Sequence, residues 1–110
     1  MSFSIVYTDL FAKELKQLAK KFPSIKQDVS DLVTILLIDP RTGTKIGNDC
    51  YKIRIAIKSK GKGKSGGARV ITHIQVSKET LYLISIYDKS ELENVSEGDI
   101  IGRIEKLKRV

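Results

Sequence analysis

The 110-residue chain has no tryptophan, one cysteine, one histidine, one methionine and two prolines. A lone cysteine, Cys50, excludes an intrachain disulfide and points to a cytoplasmic protein. A lone histidine, His73, excludes a histidine pair or any metal site built from several histidines. No apolar run approaches the roughly 20 residues that span a bilayer. The first residues, Met1-Ser2-Phe3-Ser4-Ile5, lack the basic stretch and apolar core of a secretory leader. The most informative scarcity is local. Between Cys50 and Lys78 there is no Asp or Glu, whereas Lys52, Arg54, Lys58, Lys60, Lys62, Lys64, Arg69 and Lys78 all fall there. The rest of the chain has twelve basic and thirteen acidic residues, so this one segment holds the whole excess behind the net charge of +7. A positive field so concentrated favours a polyanion: nucleic acid, an acidic protein or an anionic membrane face.

What is present suits one folded unit. A hydrophobic fraction of 41% is ordinary for a globular domain, and the length fits a single domain over 1–110. Ser4 to Tyr7 is β-prone. Thr8 can cap a helix whose stripe is Phe11, Leu15, Leu18 and Phe22, stopped by Pro23. Ser24 with Gln27 has the form of a capping box for a second helix carrying Ile25, Val29, Leu32 and Leu36, ended by Asp39-Pro40. Arg41 to Thr44 reads as loop. Tyr51 to Lys58 alternates, with Tyr51, Ile53, Ile55 and Ile57 on one side and Lys52, Arg54, Ala56 and Lys58 on the other, as a half-buried strand does. Ser59 to Gly67 contains only Gly, Lys and Ser and reads as a mobile loop. Ala68 to Val76 and Leu81 to Tyr87 are further strands joined tightly through Lys78-Glu79-Thr80. Ser96 can cap a last helix bearing Ile100, Ile101, Ile104 and Leu107. The expected class is α+β, in the order β-α-α-β-β-β-α. An antiparallel sheet is covered on one face by the N-terminal helical hairpin, with a C-terminal helix and a second face only partly covered.

Parity then selects the site. If the more apolar sets face the helices, Lys52, Arg54, Arg69 and His73 share the open face. Arginine suits bidentate phosphate contacts and lysine point-charge contacts. The plainer alternative is solvated surface charge, which the absence of acids makes less apt for the set as a whole. The loop contains Gly63-Lys64-Ser65, but a P-loop needs glycine where Lys58 stands, and no helix follows, so a flexible arm gripping an RNA backbone through Lys60, Lys62 and Lys64 is expected instead. His73 has a pKa suited to proton transfer, against a packing or hydrogen-bonding role. Cys50 reads as a small buried apolar residue rather than a nucleophile. Tyr87, at a strand end, is placed to stack on a base. A DNA-binding reading fits less well, because the basic excess lies on strands and a loop, not on a recognition helix.

Three ordered segments carry a resemblance: Asp49-Cys50-Tyr51-Lys52-Ile53-Arg54, then Gly67-Ala68-Arg69-Val70-Ile71, then Ile84 to Glu91. With the helical stretch beginning at Lys13 and the loop beginning at Asp39, they resemble the RelE/HigB-type toxins of bacterial type II toxin–antitoxin systems over nearly the whole chain. The resemblance implies a RelE-like fold and a ribosome-dependent endoribonuclease (an mRNA interferase, formally a hydrolase) that inhibits translation. It also implies work without cofactor or metal, through attack of the ribose 2′-hydroxyl on the adjacent phosphate. Its implied partners are a cognate antitoxin in a hetero-oligomer, the ribosome and messenger RNA, with no membrane. Lys52 and Arg54 resemble positions for proton abstraction and phosphate contact, Arg69 the arginine that stabilises the transition state, and Lys89 an arginine that assists the phosphate and leaving group. Lys58, Lys60, Lys62, Lys64, His73 and Tyr87 complete the RNA-binding set. Val95 stands where some members carry an RNA-stacking tyrosine, and Arg54 stays charged and accepts protons poorly. The alternative is a non-catalytic RNA- or ribosome-binding module, or one that only clasps an acidic protein, held by an antitoxin in either case.

Overall fold

The computed structural model describes residues 3–92 and 94–108; the first two residues of the stretch read for a leader lie outside them. The elements are β1 (Ser4–Tyr7), α1 (Asp9–Lys21), α2 (Ile25–Ile38), β2 (Thr44–Gly47), β3 (Cys50–Ile55), β4 (Ala68–Gln75), β5 (Thr80–Asp88) and α3 (Glu97–Lys108), with single 3-10 turns at Lys58–Lys60 and Val76–Lys78. The sheet order is β1-β5-β4-β3-β2. Strands β2 to β5 form an antiparallel meander and β1 runs parallel to β5. None of the described helices is long and apolar enough to cross a membrane.

The α+β class holds, with one strand more than expected. Strand β2 takes in Thr44, a residue expected in a loop. All four of its residues are exposed, so it has no buried face to impose a period of two. A two-residue turn joins it to β3, with Asn48 and Asp49 both left-handed (φ 53 and 56). Asn and Asp are the non-glycine residues that tolerate that region, and a turn of this kind matches strand twist.

Helices α1 and α2 cover one face of the sheet. Phe11, Leu15, Val29, Leu32 and Leu36 pack on Ile53, Ile55, Val70, Ile74, Leu81 and Leu83, all buried. The caps follow from local chemistry. The hydroxyl of Thr8 accepts from the Phe11 N–H at 3.3 Å, and that of Ser96 from the Asp99 N–H at 3.1 Å. The expected capping box at Ser24 does not form. Ser24 is itself helical, and its hydroxyl donates to Asp28 Oδ2 (2.8 Å) and accepts from the Ser59 N–H (2.8 Å), tying α2 to the lysine-rich loop.

On the opposite face, α3 sets Ile100 and Ile104 against Cys50, Ile71, Ile84 and Tyr87. A bulge between Ile71 and Thr72 resets the β4–β5 register, so that both Leu83 and Ile86 reach the large core while Ile84 turns to α3. One end of this face is thus closed by a helix. The other end carries the cations.

Candidate nucleic-acid interface

Strand register places the predicted residues. Cys50 pairs with His73, Lys52 with Ile71, and Arg54 with Arg69, so Lys52, Arg54, Arg69 and His73 do share one face. On the far side of β4, Tyr87 is opposite Arg69. Arg54 is exposed and Lys52 half-buried, with Nζ donating to Asn94 Oδ1 at 3.1 Å. Lys52 stands between two depressions. One is a groove of about 690 Å³ between α2 and β3, lined also by Asp31, Arg54, Lys58 and Lys64. The other is a cleft of about 210 Å³ under the start of α3, lined also by Tyr87, Asn94, Val95 and Glu97. Asn94 and Glu97 carry no motif or period, and only the approach of α3 to β3 brings them to the site.

Arg69 is only 5% exposed. Its Nη1 donates to the carbonyls of Lys64 (3.0 Å) and Ala68 (3.2 Å). It lies on the expected face but beneath the root of the lysine-rich loop, and reaches solvent by one edge. Lys62 and Lys64 are exposed, and Lys58 is exposed with Nζ 3.2 Å from Asp31, a surface pair of little energetic weight. Lys89 is half-buried, and its N–H donates to the Gly67 carbonyl at 3.1 Å.

Three expected RNA contacts go elsewhere. Lys60 is not a free arm: its Nζ donates to Asp88 Oδ1 (2.8 Å) and Ser90 Oγ (3.1 Å) and lies 5.3 Å from the centre of the Phe22 ring. Burial raises the Asp88 carboxyl, but bonds from Lys60 and Ser90 outweigh it and hold the group below the usual carboxylate range. His73 is 6% exposed, lies against Tyr82, and has Nδ1 2.9 Å from the Asn48 carbonyl. A carbonyl only accepts, so that nitrogen carries the proton and the ring pins the β2–β3 turn. Tyr87 is buried between Ile71 and α3, where its ring cannot stack on a base. Its hydroxyl has no hydrogen-bond partner among the described residues, and burial raises its pKa.

Cys50 has the packing role expected of it. It is fully buried, 3.6 Å from His73 Nδ1, and burial together with the Asp49 carboxylate pushes its thiol to about 11. A thiol-specific reagent at pH 8 is expected to label it at least about a hundredfold more slowly than the urea-unfolded chain, because the thiolate is the nucleophile. Comparable rates in the two states would refute the buried placement.

An α+β domain with helices on one sheet face and clustered cations on the other defines a recognisable class. No family model matches the sequence. In structure the chain is similar to a mutant of the Escherichia coli toxin RelE in its free state, with two arginines replaced by alanine (TM-score 0.66, 20% identity, 94% of this chain and 99% of that one). It is also similar to a chain of the intact E. coli RelBE toxin–antitoxin complex (0.60, 19%, 78% and 95%). A further match is the same RelE mutant in complex with an antitoxin RelBc peptide (0.61, 21%, 88% and 98%). The chain has the RelE fold.

Proposed function

We propose that this chain is the toxin of a type II toxin–antitoxin system, a ribosome-dependent endoribonuclease that cuts messenger RNA. The observation that carries the reading is the direct pairing of Arg54 and Arg69 across β3 and β4, with Lys52 beside them, in a segment without acids on a RelE fold. Two phosphates fit such a surface, and fixed positive charge is what phosphoryl chemistry at RNA needs. The 2′-oxygen bonds to phosphorus and the bond from phosphorus to the 5′-oxygen breaks, leaving a 2′,3′-cyclic phosphate and a 5′-hydroxyl. The electron count is unchanged and no metal is called on. Lysine and arginine neutralise the charge on the phosphate oxygens. The proton leaving the 2′-oxygen needs an acceptor, which Arg54 is not. Glu97 is the one carboxylate among the described residues lining the cleft beside Lys52, and it takes that role, while a proton from solvent goes to the departing 5′-oxygen to give the hydroxyl. Lys89 and the exposed Lys62 and Lys64 extend the cationic surface.

The partners follow from charge. An acidic antitoxin segment neutralises the face in a toxin–antitoxin hetero-oligomer, and programmed ribosomes present the RNA in the cytoplasm. One observation favours a second reading, that of a non-catalytic ribosome or RNA binder: Val95, lining the cleft beside Lys52, offers no stacking ring. Induction followed by primer extension separates the two. Growth arrest with new transcript ends inside translated frames, absent when ribosomes are left out of a reconstituted reaction, is the expected result. Ribosome association with intact transcripts would reject the nuclease.

A further inference from the structure

Of the four alternating lysines at 58, 60, 62 and 64, only Lys60 is drawn inward. Its side chain is 14% exposed and that of its partner Asp88 is 3% exposed. Asp88 Oδ1 receives three donors: Lys60 Nζ, the Ser90 N–H and the Ser90 hydroxyl. A buried ion pair so fully bonded is worth most as a geometric constraint, since desolvation cancels much of its attraction. The constraint acts on a particular stretch. At its other end the Gly67 carbonyl accepts the Lys89 N–H, so both ends of the arc from Lys60 to Gly67 are fastened to Asp88-Lys89-Ser90. The arc between them contains left-handed Gly61 and Gly63 and has no apolar side chain to anchor it. Without its fastenings it would sample many conformations.

The Lys64 carbonyl hangs from the middle of that arc. It accepts from Gly67 N–H at 3.3 Å and from Arg69 Nη1 at 3.0 Å. The second proton of Nη1 goes to the Ala68 carbonyl. One side of the guanidinium fork is therefore held by backbone, and its Nε and Nη2 edge has no protein partner among the described residues. That edge is the pair of parallel donors a phosphate takes in bidentate fashion.

We infer that Lys60 and Asp88 are positioning residues for RNA cleavage: by clasping the lysine-rich arc they place the Lys64 carbonyl that aims the guanidinium of Arg69. The inference rests on the nuclease reading for its kinetic consequence, but not for its structural one. It reverses the role expected of Lys60, which serves the phosphate at one remove rather than by contact.

The test uses the full-length chain with Lys60→Met, Lys60→Arg and Asp88→Asn. On programmed ribosomes, Lys60→Met and Asp88→Asn are expected to lower the single-turnover rate at saturation by at least about tenfold, since small misplacements of a catalytic group are expensive. The half-saturating concentration should stay within about twofold, as binding that is uniform through the reaction is untouched. Lys60→Arg, which restores a buried cation, should recover most of the rate. In parallel, the Nε–H resonance of Arg69, assigned through its loss in Arg69→Lys, should shift in Lys60→Met and return in Lys60→Arg. A saturating rate unchanged or raised by Lys60→Met would overturn the proposal, the latter marking the arc as a cover rather than a support. An unmoved Arg69 resonance would overturn it as well. If the wild-type chain cuts nothing, the nuclease reading fails, while the resonance still decides whether the clasp sets Arg69. Asp88→Asn breaks the same clasp from the opposite side and gives the answer if Lys60→Met does not fold.

Discussion

Replacing Arg69 by alanine is expected to reduce single-turnover cleavage of ribosome-bound messenger RNA by about two to three orders of magnitude, the cost of removing one preorganised donor from developing negative charge. The size follows from where the side chain sits. Arg69 faces Arg54 across the strand pair and is 5% exposed, so its charge acts with little intervening water. Arg54, which is exposed, has its field screened by solvent and counterions, and Arg54→Ala should act mainly on ribosome affinity and on the salt dependence of binding. Arg69→Lys keeps the charge and loses the fork, so an intermediate loss is expected. Removing the guanidinium also takes a charged donor from the Ala68 carbonyl and from the Lys64 carbonyl, which keeps only the longer bond from the Gly67 N–H, at a stability cost of about 1–3 kcal/mol. Rates must therefore be compared at a temperature where a melting curve shows both proteins folded. A folded Arg69→Ala chain that cuts within threefold of wild type would remove Arg69 from the chemistry.

The helices and the central strands were readable because burial leaves a period. The four- and three-residue spacings of Phe11, Leu15 and Leu18 and the alternation from Tyr51 to Ile57 each report a face turned to the core. The same alternation places Lys52 and Arg54 with Arg69, since strand parity fixes sides once one side is apolar. What escaped the sequence has no period. Strand β2 is exposed throughout, and the bulge at Ile71 and Thr72 shifts parity at one point in a run of Leu and Ile that fits either face. Among the loop lysines, nothing in a Gly/Lys/Ser stretch distinguishes Lys60 from Lys62; the difference is made by Asp88, nearly thirty residues away in sequence. Parity puts His73 on the face it occupies and the strand pattern puts Tyr87 at a strand end, but neither reveals that both are buried. Parity tells which side a residue is on, and α3 decides how much of that side is covered. The arrangement of Lys52 with Asn94 and Glu97 depends on the same helix and was invisible for the same reason.

Gly67→Ala should be far more damaging than Gly61→Ala, lowering stability by at least about 3 kcal/mol, the upper range for overpacking a closed site. Its backbone is not left-handed, so conformational preference alone would allow alanine. The obstacle is contact. A β-carbon there would lie 2.1 Å from the Ile55 carbonyl oxygen and 3.0 Å from the Ala56 α-carbon, and both are backbone atoms of the neighbouring strand and its exit, which no side-chain rotation relieves. The β3–β4 pair must part where Ile55 meets Ala68, one pairing from Arg54 and Arg69, and the bond from Lys89 N–H to the Gly67 carbonyl is strained with it. Gly61 makes the opposite case: it is left-handed at φ 72 with open space around it, so Gly61→Ala should cost only about 1–2 kcal/mol through its backbone. Urea denaturation of the two variants beside wild type measures the order. Because the two glycines stand in one loop and read alike in sequence, equal losses would mean that β3 and the root of the loop do not approach as closely as the Ile55 carbonyl requires. The seat of Arg69 would then be looser than a phosphate fork needs.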